Sequence, residues 1–311
     1  MGLRRWLTLL LGLLAALPSL AQAPSEAPFL WEVEGPKARH YLLGSMHLLP
    51  KDAGQLPDGL ERAYLRAAEL VFESDLAALS TPEMQFKLLE AAKADKPLKA
   101  RIAPALYERL AGRAAEVQMP MTVCEPFRAW FCALTLEIFN YQSAGFRPDL
   151  GIDQQFYQRA LEDEKPVHWL EEPQAHIGLF TTMPEAQAEQ FLAATVDELT
   201  EAGSTPQALL SMWREGDVVR LEKMAAELKS HAPPIYQRLL ADRNRAWLPR
   251  LQAALDGDTV QLVVVGAAHL YGPDGLVTLL QQKGYRLKPA AAAAVPAESV
   301  TAPALRLSAR R

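Results

Sequence analysis

Tyr41-Leu42-Leu43-Gly44-Ser45-Met46-His47 and Leu262-Val263-Val264-Val265-Gly266-Ala267-Ala268-His269 share one design: an apolar run, a glycine, two intervening residues and a histidine. Short apolar runs rich in Val and Leu read as buried strands, and the glycine marks the point where the backbone turns. Each histidine is therefore expected just past the end of a strand. The following residues are alike too, since Asp58-Gly59-Leu60 and Asp274-Gly275-Leu276 each open an amphipathic helical stretch that leads to another short strand. The expectation is a pseudo-repeated strand–Gly-x-x-His–helix–strand unit whose two histidines, far apart in sequence, converge in space.

Outward from this pair, residues 29–34 and 40–43 read as a hairpin turning at Gly35-Pro36. Asp58 suits a helix cap, with Glu61 three residues on as in a capping box. Residues 70–72 form a short apolar run ending in Glu73, and Pro166 introduces a second at 167–170 ending in Glu171 and Glu172. A closing strand is expected at 285–287. Two long stretches, about 80–147 and 173–256, have helical periodicity broken by prolines and glycines. Strands separated by helices predict an α/β fold, a mixed sheet flanked by helices with two mostly helical insertions.

At the N-terminus, Arg4 and Arg5 precede an apolar run over 6–17, and Ala21-Gln22-Ala23 supplies small residues for cleavage after Ala21 or Ala23. Residues 1–23 read as a signal peptide, the run being short for a span of ~20 apolar residues. The chain is thus expected to be secreted or periplasmic, with no integral membrane segment after cleavage. Losing Arg4 and Arg5 takes the formal charge from -5 to -7, which leaves no basic footprint for nucleic acid or an anionic membrane. Half the residues are hydrophobic, enough to bury a core, and 24–289 reads as one domain followed by an Ala/Pro-rich disordered tail at 290–311. Cys124 and Cys132 are the two cysteines. With a helix expected over 126–139, eight residues at 1.5 Å each would hold them ~12 Å apart, so free thiols are expected unless Cys124 folds back outside the helix.

His47, Glu73, Glu171 and His269 each fall at the C-terminal end of an expected strand, the edge where open α/β sheets gather ligands. Two imidazoles with one or two carboxylates suit a divalent metal (zinc, manganese, cobalt or iron) holding an activated water, and such a site hydrolyses. Without metal, His47 or His269 is a general base with Glu73 as orienting partner or general acid. Plainer roles exist. Glu73 suits a solvated strand end, Glu171 and Glu172 the acidic start of the helix after Pro173, and Asp153 a helix cap. His40, His168, His176 and His231 read as structural. Arg243 has Leu239, Leu240, Ala246 and Trp247 at helical neighbour positions, which points its guanidinium to a buried face. It needs a partner carboxylate or a substrate oxyanion there, with Asn244 as an added amide donor, and Pro249 is expected to end or kink the helix.

Gly44-Ser45-Met46-His47, Glu73, Gly151-Ile152-Asp153, Leu170-Glu171-Glu172 with Gln174, Asp242-Arg243-Asn244 with Trp247, and Gly266-Ala267-Ala268-His269-Leu270 together resemble the TraB/PrgY/GumN family over nearly the whole mature chain. That family includes the Tiki proteins, regarded as metal-dependent proteases, and is similar to erythromycin esterase-like and ChaN-like folds. The resemblance implies an active-site set of His47, His269 and Glu73, with Arg243 in support. The chain departs where Asp75 stands one residue later than expected and where Glu172 replaces a common threonine. The leading expectation is a metal-dependent hydrolase, a peptidase, acting on a peptide or small molecule. In it His47 and His269 are metal ligands, Glu73 is ligand or base, Glu171 is a further ligand and Arg243 meets the oxyanion. The alternatives are a non-catalytic haem-, iron- or peptide-binding protein using the same cleft, and a metal-free His/Glu esterase.

Overall fold

The computed structural model describes residues 29–200 and 204–290. The expected signal peptide and, beyond Ala290, the Ala/Pro-rich tail lie outside the described residues. Strands β1 (Leu30–Glu34), β2 (Arg39–Ser45), β3 (Leu49–Pro50), β4 (Glu69–Phe72), β5 (Phe146–Arg147), β6 (Val167–Trp169), β7 (Gln261–Gly266) and β8 (Arg286–Pro289) follow in chain order. Six of them form one sheet in the order β6-β4-β7-β2-β1-β8. Pairing is parallel between β6 and β4, β4 and β7, and β7 and β2, and antiparallel from β2 to β1 and from β1 to β8. The fold is mixed α/β, with a central sheet flanked by helices and with helical insertions.

The apolar run of β7 is explained by its place. It lies between β4 and β2, and Leu262, Val263, Val264 and Val265 are each at most 1% exposed. A strand buried on both faces carries no polar alternation. Tyr41 pairs with Leu262 and Ser45 with Gly266, so β2 and β7 run side by side in the same direction and stop together. The C-terminal ends of β6, β4, β7 and β2 consequently line one edge.

The two helical stretches share a hydrophobic core of their own. Trp130 and Leu136 on the helix Ala129–Ser143 pack in one cluster with Leu192 and Val196 on the helix Glu185–Glu198, while Leu43, Phe72, Val264 and Trp247 belong to the core against the sheet. The expectation of free cysteines is corrected here. Cys124 lies before the helix begins at Ala129, and the chain folds back so that its Cα comes within 5.1 Å of that of Cys132 and a disulfide closes. The capping box is also absent: Pro57 precedes the helix Asp58–Arg66 without a side-chain cap, and Glu61 pairs instead with Arg159. Nor does Pro249 end its helix, which runs on to Leu255.

Candidate active site at the edge of the parallel strands

His47, Glu73, Glu171 and His269 are brought together around Arg243. The helical segment bearing the arginine starts with a π-turn over Gln237–Ala241, in which the Asp242 N–H bonds the Gln237 carbonyl. Such turns shift a helical face and recur at functional sites. Arg243 is 9% exposed, and each of its five N–H groups meets an acceptor. Nε donates to Glu171 Oε2 at 3.3 Å, Nη1 to the Leu239 carbonyl at 3.3 Å and to His269 Nε2 at 3.0 Å, and Nη2 to Glu73 Oε2 at 2.6 Å and Glu171 Oε1 at 2.8 Å. Its guanidinium also lies over the Trp247 ring, 4.6 Å from the centroid.

The carboxylates are fixed from several sides. Glu73 Oε1 accepts the Gly266 N–H at 2.7 Å, and Glu171 Oε2 accepts the Trp247 indole N–H at 2.9 Å. Burial would push the Glu73 carboxyl up, but the Arg243 guanidinium overrides it, and the group is held well below the usual carboxylate range. Glu171 shifts down likewise, its burial outweighed by hydrogen bonds from His176 and Arg243.

The two motif histidines have opposite environments. His269 is 4% exposed. The Asn244 amide nitrogen donates to the carbonyls of His269 and Asp274, so its oxygen, 2.7 Å from His269 Nδ1, must accept. That places the proton on Nδ1 and turns the Nε2 lone pair to Arg243. Burial, with Arg243 alongside, pushes this imidazole down to about 3, and it is neutral. His47, by contrast, is 54% exposed in its side chain, and its Nδ1 lies 3.1 Å from Asp153 Oδ1. The Asp153 carboxylate raises it to about 9, so it is a cation at neutral pH. Its Nε2 faces Glu73 Oε1 across 4.0 Å, a gap that a bound oxygen atom can bridge. Gly266 makes room for this, since a Cβ there would lie 2.9 Å from His47 Nε2 and 3.3 Å from Glu73 Oε1.

The metal reading is corrected by this geometry. Among the described residues no three His, Cys, Asp or Glu side chains are placed to hold a metal ion. His47, His269, Glu73 and Glu171 are not a ligand set, because the lone pair of His269 and the carboxylates of Glu73 and Glu171 are turned onto the guanidinium. Arg243 supplies the cation that the donor pattern calls for. The paired Gly-x-x-His is therefore no metal-binding motif, and the metal-dependent peptidase with its divalent cofactor is set aside.

Two members of the site read as structural in the sequence, Asp153 as a helix cap and His176 without a role. Asp153 is not the cap of its helix, which runs over Ile152–Glu162 after Gly151; its side chain turns instead to His47. The signal was Gly151, where a Cβ would collide with the His47 carbonyl oxygen, and the Ile152 N–H bonds the Met46 carbonyl. His176 places Nδ1 2.8 Å from Glu171 Oε1. Together with His47, Phe72, Glu73, Ser74, Leu76, Leu79, Asp153 and Val264 it lines a cavity of about 160 Å³. Ser74 is 1% exposed and its hydroxyl has no partner among the described residues. Asp75 caps the short helix Leu76–Leu79 and Glu172 pairs with Arg250, so both are accounted for by local structure.

The uncharacterized protein YbaP of Escherichia coli (strain K12) is 30% identical over 250 residues, covering 79% of this chain and 89% of that protein. The uncharacterized protein YbaP of Shigella flexneri matches to the same extent. No solved structure matches. The pattern of the TraB/PrgY/gumN family matches residues 29–289, which include every strand and every site residue described above, and the chain belongs to that family.

Proposed function

We propose that the chain is a hydrolase of ester or amide carbonyls that works by fixed charge and proton transfer without a metal ion. The observation that carries this is the half-exposed His47 imidazolium at the wall of a cavity of about 160 Å³, 4.0 Å from a carboxylate that Arg243 keeps ionised. A preorganised cation beside a carbonyl oxygen stabilises the charge that grows there during attack, an effect magnified where water is scarce. His47 also carries a proton to give to the leaving group. Glu73 orients the attacking water by accepting its hydrogen bond, and Arg243 acts at one remove, by positioning the carboxylates.

Phe72, Leu76, Leu79 and Val264 form the apolar part of the wall, which favours a substrate with a small apolar group beside its carbonyl, such as a peptide or an acyl ester. The Cys124–Cys132 disulfide supports an oxidising, secreted or periplasmic setting. Among the described residues no helix is long and apolar enough to cross a membrane. The test is hydrolysis of p-nitrophenyl butyrate and of a fluorogenic leucine amide by protein purified without a His tag. Turnover that survives dialysis against EDTA and is lost in His47→Gln is expected. Turnover of neither probe, or turnover that requires added metal, refutes the reading.

A further inference from the structure

We propose that His176 is the general base of this site, taking the proton from the attacking water while His47 serves as the acid. The inference rests on the hydrolase reading above and adds the group that reading lacks. The carboxylates each face a cation, Asp153 the His47 imidazolium and Glu73 and Glu171 the Arg243 guanidinium, which makes them poor bases. His269 has its lone pair turned to Arg243, Glu73 accepts from Arg243 and the Gly266 N–H, and Glu171 accepts from Arg243, Trp247 and His176. His47 bears its proton. Among the described residues that line the cavity, His176 is the histidine whose unengaged ring nitrogen bears a lone pair.

Its geometry suits the role. Nδ1 faces Glu171 Oε1 at 2.8 Å, closer than Arg243 Nη2 at 3.4 Å, whose hydrogens are taken by Glu73 and Glu171, and that carboxylate is ionised and fixed by the guanidinium. A carboxylate accepts and cannot donate, so Nδ1 bears the hydrogen and Nε2 the lone pair. The ring edge carrying Nε2 is the one directed away from Glu171, and the side chain is 28% exposed. A base oriented by a carboxylate on its far nitrogen is the arrangement that fixes tautomer and direction in proton-transfer sites. Its placement comes from the β6 end: Glu171 follows two residues after Trp169, Pro173 starts the helix Pro173–Thr181, and His176 in the first turn reaches back to Glu171.

In the step, Nε2 takes a proton from water as the water oxygen bonds to the carbonyl carbon, and the C=O π pair moves to the carbonyl oxygen beside His47 Nε2–H. Collapse re-forms the C=O bond and breaks the bond to the leaving oxygen or nitrogen, which takes the His47 proton. His176 then returns its proton to solvent and His47 regains one, giving a carboxylic acid and an alcohol or amine.

The experiment uses the full chain with the two probes named above. His176→Gln keeps a donor for Glu171, and a fall in kcat of about 10²–10⁴-fold with KM retained is expected. In His176→Gly, added imidazole should restore turnover, which a purely structural role would not allow. Diethyl pyrocarbonate, which modifies an accessible imidazole nitrogen, should label His176 in the wild type, mapped by mass spectrometry. Full kcat in His176→Gln alongside an active wild type overturns the assignment and leaves the hydrolase reading standing; absence of labelling also overturns it. A wild type inert toward both probes removes the hydrolase reading, and the base assignment with it.

Discussion

Asp153→Asn isolates the charge that makes His47 a cation. The substitution keeps size and shape and deletes one carboxylate 3.1 Å from Nδ1. A unit pair at that separation is worth ~1.3 kcal/mol in bulk water and ~5 kcal/mol at an effective dielectric of 20. A side chain 54% exposed belongs toward the lower end. At 1.36 kcal/mol per pH unit, His47 should fall from about 9 to roughly 7–8. The assay is an NMR titration of the imidazole Cε1–H signals, with His47→Gln to assign the resonance. Because the folded value lies above the ordinary 6.5, the pair stabilises the fold fully below that pH, and the contribution fades as pH rises through about 9. Urea midpoints of wild type and variant should therefore differ most at mildly acidic pH and converge above about 9. The basic limb of kcat/KM should move down with the titration. An unchanged His47 titration refutes the ion pair; a moved titration with an unmoved basic limb refutes His47 as the proton donor.

Three further outcomes follow from packing and charge. Arg243→Ala leaves Glu73 and Glu171 buried without their cation and should cost about 3–5 kcal/mol in urea unfolding; a loss below about 1 kcal/mol would mean the guanidinium is dispensable. Gly266→Ala places a methyl against His47 Nε2 and should lower kcat at least tenfold while leaving the thermal midpoint nearly unchanged, since displacing a reacting group by a fraction of an ångström suffices. An equal kcat would detach His47 from the chemistry. Cys132→Ser opens a disulfide that spans eight residues and should cost roughly 2–3 kcal/mol, matched by reduction of the wild type; no change in either would place the stabilisation elsewhere.

The strands and the acids at their ends were legible because burial on both faces leaves an unbroken apolar run, as in Leu262 to Val265, and because the chain must turn where the run stops. Which ends meet was not, since neighbours in the sheet are set by long-range pairing: β4 stands between β6 and β7, far from both in sequence. The antiparallel partner of β3, at Phe146–Arg147, was lost inside a helical stretch because a two-residue strand carries no periodicity. Asp153 and His176 read as structural for a related reason. Each sits in the first turn of a helix, where local rules assign acids to capping and leave a histidine unremarked, and each acquires its role from a group on another element. Arg243 was legible as a buried cation needing acid partners, although the π-turn that sets its direction was not.

The replacement of a metal by an arginine has consequences for how the two histidines divide the work. A divalent ion shared by His47 and His269 would require both to be neutral ligands, and the two would be equivalent. A guanidinium makes them different. It can only donate, so the His269 Nε2 that it meets at 3.0 Å must accept, and His269 is held neutral, buried and directed inward by Asn244. His47 makes no such contact. It sits across Glu73 from the guanidinium, pairs with Asp153 and is free to carry charge into the cavity. The fixed cation also keeps Glu73 and Glu171 ionised, which sets the tautomer of His176. One buried arginine thus fixes the protonation of the neutral histidine and of both carboxylates, leaving His47 and His176 as the ring groups able to exchange protons with a bound carbonyl compound. Replacing His269 by Gln, which still offers an acceptor to Arg243, should therefore be far milder than replacing His47 by Gln, and equal losses of kcat in the two variants would restore the symmetric scheme.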